Sequence, residues 1–418
     1  MTVSDPSTSL SPTQRSAPGS AAPHLGPGLA ALVVAVALLV GVQALVGARL
    51  PGSLPFYAAY AMSFKVNGNV LQSLAFRTPH ELPVYGSSEL DRWTANRADA
   101  FFRLRPTGFA VFPVGRGGAT CLLIQQKLAA IGDDARGKSV VIFLSPGWFL
   151  ASSVDERAVA ANLSTAQLGA WIFGDALSPA LKTDLARRLR DHAGFLEDQS
   201  LLAEAVRCLA EPTGANRARL ALLSPLGKLQ NALLRRFDYG VLLWEIVFPQ
   251  QRWHPLDGYD QNAWPATGRP IDWERLFADA EADPGPPPGH PAPGGTTGGG
   301  HDREFVARLN ASAEFGDLSL LLHVLRELRM RVLFISQPFN GPDSDAKGIT
   351  PRARRVYYER VEALVRAGGY PLRDFSAHEA DPLFFSDAEH PSAKAWLYYD
   401  REIDRFYAGS QGGAAESF

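Results

Sequence analysis

Hydrophobic and polar positions along the chain fall into distinct patterns. The first is an unbroken apolar block, GLAALVVAVALLVGVQALV from Gly28 to Val46, interrupted only by the uncharged Gln43. At about 1.5 Å rise per residue, its roughly 19 residues cover a hydrocarbon core of about 30 Å. The block predicts one membrane-crossing helix within an anchor over 28–50. A core helix would be shorter and less uniformly apolar, and Val46-Gly47-Ala48 is a poor cleavage site for a signal peptide. The second pattern is a set of short, near-continuously apolar runs that end at Gly, Ser or Pro: Leu82–Gly86, Phe109–Val114, Val140–Ser145, Arg331–Ser336 and Leu372–Phe375. Strands buried on both faces read this way. The third is helical periodicity after most of those runs, over Thr120–Ile131, Arg352–Ala367 and Ser392–Tyr407. The alternation predicts an α/β fold with a parallel sheet.

A long insertion, about 149–316, separates the third run from the fourth. Its first half, through about Phe248, is rich in Ala, Leu and Arg and reads as several helices. Aromatics then concentrate at Trp244, Phe248, Trp253, Trp264 and Trp273, before DPGPPPGHPAPGGTTGGG over 283–300. That Pro/Gly stretch has no residues to build a core and predicts a flexible excursion, not a domain boundary. The Ser, Pro, Ala and Thr of Met1–Pro27 predict a mobile tail for the same reason. The domain plan is therefore a tail over 1–27, the anchor over 28–50, and one α/β domain over 51–418 that carries the insertion.

Composition adds limits. The chain is 46% hydrophobic and 20% charged, as folded proteins are. Its 41 Lys and Arg nearly balance 43 Asp and Glu, which gives no reason to expect a nucleic-acid partner. Cys121 and Cys208 are the only cysteines and lack metal-ligand spacing, so the sequence encodes neither a zinc site nor a disulfide framework. One bridge between them stays open. No phosphate loop, HExxH or GxSxG occurs, and no cofactor or metal is implied. Around the apolar block, Arg15 and Asp5 precede and Arg49 and Lys65 follow, so charge is nearly silent on orientation.

Candidate chemistry sits where strand runs end. The first run closes in Val84-Tyr85-Gly86-Ser87-Ser88-Glu89-Leu90 and then turns helical, which would expose the Ser88 hydroxyl at a strand's carboxyl end, beside the amides of a helix N-terminus. Read alone, Ser87 or Ser88 is more often a helix N-cap. Asp387-Ala388-Glu389-His390-Pro391 changes the balance. An aspartate three residues before a histidine can accept a hydrogen bond from Nδ1–H, fix the tautomer and leave Nε2 to act on a serine. Gly115-Arg116-Gly117-Gly118 closes the second run, and amides there, with that of Ser88, can face a developing oxyanion. Ser344-Asp345-Ala346-Lys347 matches a lone SxxK in a polar loop and lacks companion motifs.

Serine block first, glycine block second and DxxH last resemble the SGNH hydrolase superfamily. More closely, the chain resembles the DltD family of D-alanyl-lipoteichoic acid biosynthesis, in YGSSEL (85–90), VGRGGA (114–119), FLSPGWF (143–149), FGDLSLLLHVLRELRMRVLFISQPFNG (315–341) and DPLFFSDAEHPSAKAWLYYDREIDRFY (381–407). The resemblance implies a flavodoxin-like, three-layer SGNH fold held outside the cytoplasmic membrane by the single N-terminal helix. It implies D-alanyl ester addition to an envelope polymer, beside a membrane-bound O-acyltransferase and a D-alanyl carrier protein. Ser88, His390 and Asp387 would be the catalytic residues, with Gly117 or Gly118 as oxyanion donor. Two departures stand out. Gly147 occupies a place where the family pattern leads one to expect Gln, and the superfamily's third-block asparagine is not evident, though Asn340 in QPFNG could supply a donor. Readings that keep the site but change the outcome are an envelope esterase or thioesterase and a polysaccharide O-acetyltransferase. A non-catalytic scaffold for the acyltransferase is the reading from another class.

Overall fold

A computed structural model describes residues 25–59, 63–92, 94, 96–247, 270–282 and 300–411. The predicted tail lies almost wholly outside the described residues, as do Phe248, Trp253, Trp264 and nearly all of the Pro/Gly stretch. Five strands, β1 (Glu81–Gly86), β2 (Ala110–Gly115), β3 (Ser139–Leu144), β4 (Arg331–Ser336) and β5 (Leu372–Asp374), form one sheet in the order β2-β1-β3-β4-β5. Every pairing is parallel, with Tyr85 opposite both Val114 and Ile142, and Ile142 opposite Phe334. This is the doubly wound order in which the chain reverses direction between β1 and β3.

The continuous apolar runs have a simple cause. Successive side chains point to opposite faces, and both faces are covered. Tyr85, Val140, Ile142, Leu144 and Phe334 enter one core, while Leu82, Val84, Val141, Phe143 and Ile335 enter the other. Helices Cys121–Ile131, Glu314–Glu327 and Pro351–Ala367 cover the first face, and Ala98–Leu104 and Ala393–Gln411 cover the second. The result is three layers.

The insertion folds as helices Glu156–Asn162, Thr165–Phe173, Pro179–Leu189, Ser200–Ala210 and Gly214–Val247. The second starts on a capping box, in which Ser164 Oγ accepts from the Gln167 amide and Gln167 Oε1 accepts from the Ser164 amide. Cys121 and Cys208 are both buried as free thiols. The N-terminal helix runs from Leu25 to Ala59, and its segment Gly26–Ala48 is long and apolar enough to cross a membrane. The helix does not stop at residue 50. Leu54, Tyr57 and Ala58 belong to the first core, and Lys65 Nζ donates to the Ala58 carbonyl at 3.2 Å, so a buried amine satisfies a carbonyl of the helix's last turn.

Ile142 is fully buried at the centre of β3. Ile142→Ala should lower unfolding free energy by about 2–5 kcal/mol through lost burial and a cavity, read by denaturant unfolding in detergent.

Candidate active site

Gly86 ends β1, and Ser88 begins a turn of 3₁₀ helix, Ser88–Leu90. The α-helical start expected after Ser88 is absent; the amides of Asp91 and Arg92 bond the Ser88 carbonyl at 3.2 and 3.0 Å, and the next helix begins at Ala98. No aligned helix dipole therefore reaches Ser88, since the effect belongs to the end of a longer helix. Ser87 makes no side-chain cap either. What shapes the turn is Glu89, whose buried carboxylate accepts from the Ser87 amide at 2.7 Å. Burial raises the pKa of Glu89 above the usual carboxylate range, only partly offset by that amide and by the His390 ring. A Cβ on Gly86 would lie 2.1 Å from Glu89 Oε1, so the folded-back carboxyl requires glycine there.

His390 comes from the loop between β5 and the last helix, 302 residues after Ser88. Its Nε2 lies 2.9 Å from Ser88 Oγ, and its Nδ1 lies 2.8 and 2.9 Å from the Asp387 oxygens. Asp387 Oδ1 also accepts from the amides of Glu389 and His390, both at 2.9 Å, and Oδ2 is bonded by Arg92 Nη1. Burial alone would push the Asp387 pKa up. The two amides, the imidazole and the Arg92 guanidinium outweigh it and hold the carboxyl well below its usual range. Arg92 Nη1 also lies 2.9 Å from His390 Nδ1. Two N–H groups cannot bond each other, so both donate to Asp387, which leaves Nε2 as the acceptor facing the serine.

The glycine block abuts this serine. A Cβ on Gly117 would lie 3.9 Å from Ser88 Cβ, and Gly118 has φ +83°, a conformation suited to glycine. Asn162, fully buried on an insertion helix, donates Nδ2 to the Gly117 carbonyl at 3.2 Å. Asn340 stands elsewhere in the network. Its Nδ2 donates to the Asp387 carbonyl at 3.1 Å, and its Oδ1 accepts from the Asp343 amide as the N-cap of Gly341–Ala346. Lys347 of the SxxK match pairs with Asp343 at 2.6 Å. Arg92 and Asn162 carry no signal in the sequence, and Glu89 reads there only as an acidic residue in a helix's first turn. The spacing of Glu89 two residues after Ser87 was the one available signal.

On the other side of Gly118 opens a cavity of about 200 Å³, lined by Thr120, Trp148, Val154, Arg188, Glu314 and Asp317 among others. Arg188 clamps Asp317 through two bonds of 2.7 and 2.9 Å. Glu314 accepts from the Cys121 amide at 2.6 Å; burial, then the Asp317 charge, push its pKa from 4.5 to about 8. The Thr120 hydroxyl is buried and has no partner among the described residues. Among those residues no group of three His, Cys, Asp or Glu could hold a metal ion.

Fold and site together describe an α/β protein with a serine, histidine and aspartate joined at the carboxyl edge of a parallel sheet, and a helix able to cross a membrane at its N-terminus. The chain belongs to the DltD protein family, whose model matches residues 59–284 and 301–408. It is 28% identical over 345 residues to Protein DltD of Bacillus subtilis (strain 168), covering 81% of this chain and 86% of that one. It is 23% identical over 368 residues to Protein DltD of Staphylococcus aureus (strain NCTC 8325 / PS 47), covering 82% and 85%. With Protein DltD of Lacticaseibacillus rhamnosus it shares 23% over 396 residues, covering 91% and 90%.

A carboxyl raised from 4.5 to about 8 keeps a proton in the folded protein that the unfolded chain has lost. Its contribution to stability is complete below about 4.5 and disappears as pH rises through about 8. Glu314→Gln should therefore flatten the decline of Tm across that window, measured against wild type by thermal unfolding in detergent.

Proposed function

We propose that this protein is an extracytoplasmic serine acyltransferase of the SGNH type that acts in D-alanyl ester modification of an envelope polymer through a covalent ester on Ser88. The single observation that carries the reading is the hydrogen-bond chain from Ser88 Oγ through His390 to Asp387, built from positions 302 residues apart. Membership of the DltD family supports the D-alanyl group and the lipoteichoic acid class of acceptor. Order along the chain supports the SGNH assignment, with serine after β1, the glycine block after β2 and Asp-x-x-His after β5.

His390 Nε2 takes the Ser88 proton as Oγ attacks the carbonyl of an activated D-alanyl ester or thioester. The amides of Ser88, Gly117 and Gly118, which donate to no hydrogen bond among the described residues, receive the oxyanion. The proton passes from Nε2 to the departing thiol or alcohol. In the second half an acceptor hydroxyl gives its proton to Nε2 and attacks the seryl ester, and Nε2 returns that proton to the departing Ser88 Oγ. Asn340 is then a positioning residue that ties the Asp387 loop to the end of β4. The cavity beyond Gly118 is small, which suits a compact acyl group. In this reading the donor is a D-alanyl carrier protein or an intermediate formed by a membrane-bound O-acyltransferase, and the domain stands outside the membrane on its N-terminal helix. The side chain of Asp387 is 38% exposed. Water therefore reaches the site's rim, which favours hydrolysis of D-alanyl esters or thioesters as the second reading.

Wild type incubated with a D-alanyl thioester and quenched in acid should show one alanyl adduct by intact mass, absent from Ser88→Ala. Asp387→Asn should slow acylation about 10⁴-fold by removing the acceptor that sets the tautomer. Cells carrying Ser88→Ala should lose D-alanyl ester from their envelope polymer. An adduct that persists in Ser88→Ala, or full polymer esterification in those cells, rejects the covalent mechanism.

A further inference from the structure

The helix Gly214–Val247 turns its most apolar side away from the protein. Leu222, Leu226, Leu229, Leu233 and Phe237 are 53–82% exposed, far more than such residues are in a folded domain. At about 100° per residue they fall within an arc of about 80°, a single stripe roughly 22 Å long. Asn231, Tyr239 and Leu242 lie on the opposite side and face the protein: Asn231 sits 3.4 Å from the Cβ position of Gly169, and Tyr239 and Leu242 enter the first core. A surface helix normally buries its apolar face and wets its polar one. Here a second apolar face remains after the first has packed.

The place where this helix meets the anchor says what covers that face. Arg236 Nη1 donates to Gln43 Oε1 at 2.8 Å, and Tyr239, Leu242 and Leu243 pack in one cluster with Val42 and Val46. Gln43 lies within the membrane-crossing segment, five residues or about 8 Å from its end at Ala48. The turn carrying Arg236 and Phe237 is thus set at the depth where headgroups meet acyl chains. From there the stripe runs back along the helix toward Leu222. The helix holds Arg217, Arg219, Lys228, Arg235 and Arg236 against only Asp238 and Glu245, the charge balance of helices that lie in an anionic lipid surface.

We propose that the stripe Leu222–Phe237 is a membrane-embedded face, and that Gly214–Val247 lies in the outer lipid interface beside the anchor. The protein would then be seated on the bilayer by two elements, one crossing it and one lying in it. The occupant is lipid, argued from the depth set by the Arg236 to Gln43 contact and from the excess of basic residues. This inference does not depend on the chemistry proposed for Ser88.

Single substitutions Leu222→Cys, Leu229→Cys, Leu233→Cys and Phe237→Cys in the full chain, each carrying a thiol-reactive fluorophore, test it. Lys228→Cys on the far flank serves as reference, and the buried Cys121 and Cys208 stay in place. The protein is reconstituted alone into vesicles of phosphatidylcholine and phosphatidylglycerol, then exposed to brominated lipid or to aqueous iodide. The stripe positions should be quenched by lipid at least three-fold more than Lys228→Cys and shielded from iodide. Access of iodide to the stripe equal to that at Lys228→Cys overturns the proposal and marks a surface for a protein partner. Shielding from both quenchers also overturns it and marks contact between copies of this chain.

Discussion

All five strands run parallel, so every strand-to-helix connection on one side of the sheet opens at the same edge. The rest of the molecule depends on that constraint. Ser88 leaves β1, the glycine block leaves β2, Trp148 follows β3, Asn340 follows β4 and His390 follows β5. An antiparallel sheet would have sent half of them to the opposite end. Because β1 lies between β2 and β3, the seryl turn has the glycine block on one flank and the Trp148 segment on the other. The fit is close on the glycine side. A Cβ on Gly115 would lie 2.7 Å from the Ser87 carbonyl oxygen and 2.7 Å from Leu90 Cβ, so backbone meets backbone where the two turns touch.

Charge at the site is arranged in depth. Outside, Arg92 is 55% exposed, and solvent screens much of what its charge can do for Asp387. The amides of Glu389 and His390 are fixed by the loop itself and hold Asp387 whether or not Arg92 is in place. They are the more dependable source of the carboxyl's lowered pKa. Inside, Glu89 is buried 4% exposed and acts on the serine only through the Ser87 amide. Burial raises its pKa, and the Ser87 amide and the His390 ring pull against that shift.

Features set by neighbours in sequence could be read from the sequence, and features set by distant partners could not. All five strand runs match the observed strands to within a residue at each end, because apolar runs stop sharply near Gly, Ser or Pro. The spacing of Asp387 and His390 was legible because both lie in one loop. Arg92 meets Asp387 across 295 positions and Asn162 meets Gly117 across 45, and neither looks different in the sequence from a solvated surface residue. The helix expected at Ser88 failed for a local reason: Glu89 in the first turn read as an N-terminal signal, but its carboxyl turns back to the Ser87 amide and the chain leaves after Leu90. Asn340 after β4 caps the helix Gly341–Ala346 and donates to the Asp387 carbonyl 47 positions away, a pairing its neighbours in sequence do not announce.

The same distinction explains the anchor. Hydropathy marks where the apolar block ends near Val46, but it does not show that the helix continues to Ala59 with its last turns inside the core. A membrane helix followed by a polar linker would let a domain tumble at the surface. Here Leu54, Tyr57 and Ala58 pack with residues of the sheet, and Lys65 closes the helix end from within the domain. Gln43 Oε1 accepts from Arg236 of another element, so the one polar side chain of the apolar block has a partner. Sheet and anchor therefore share one hydrophobic core, which ties the edge carrying Ser88 to the helix that can cross a membrane.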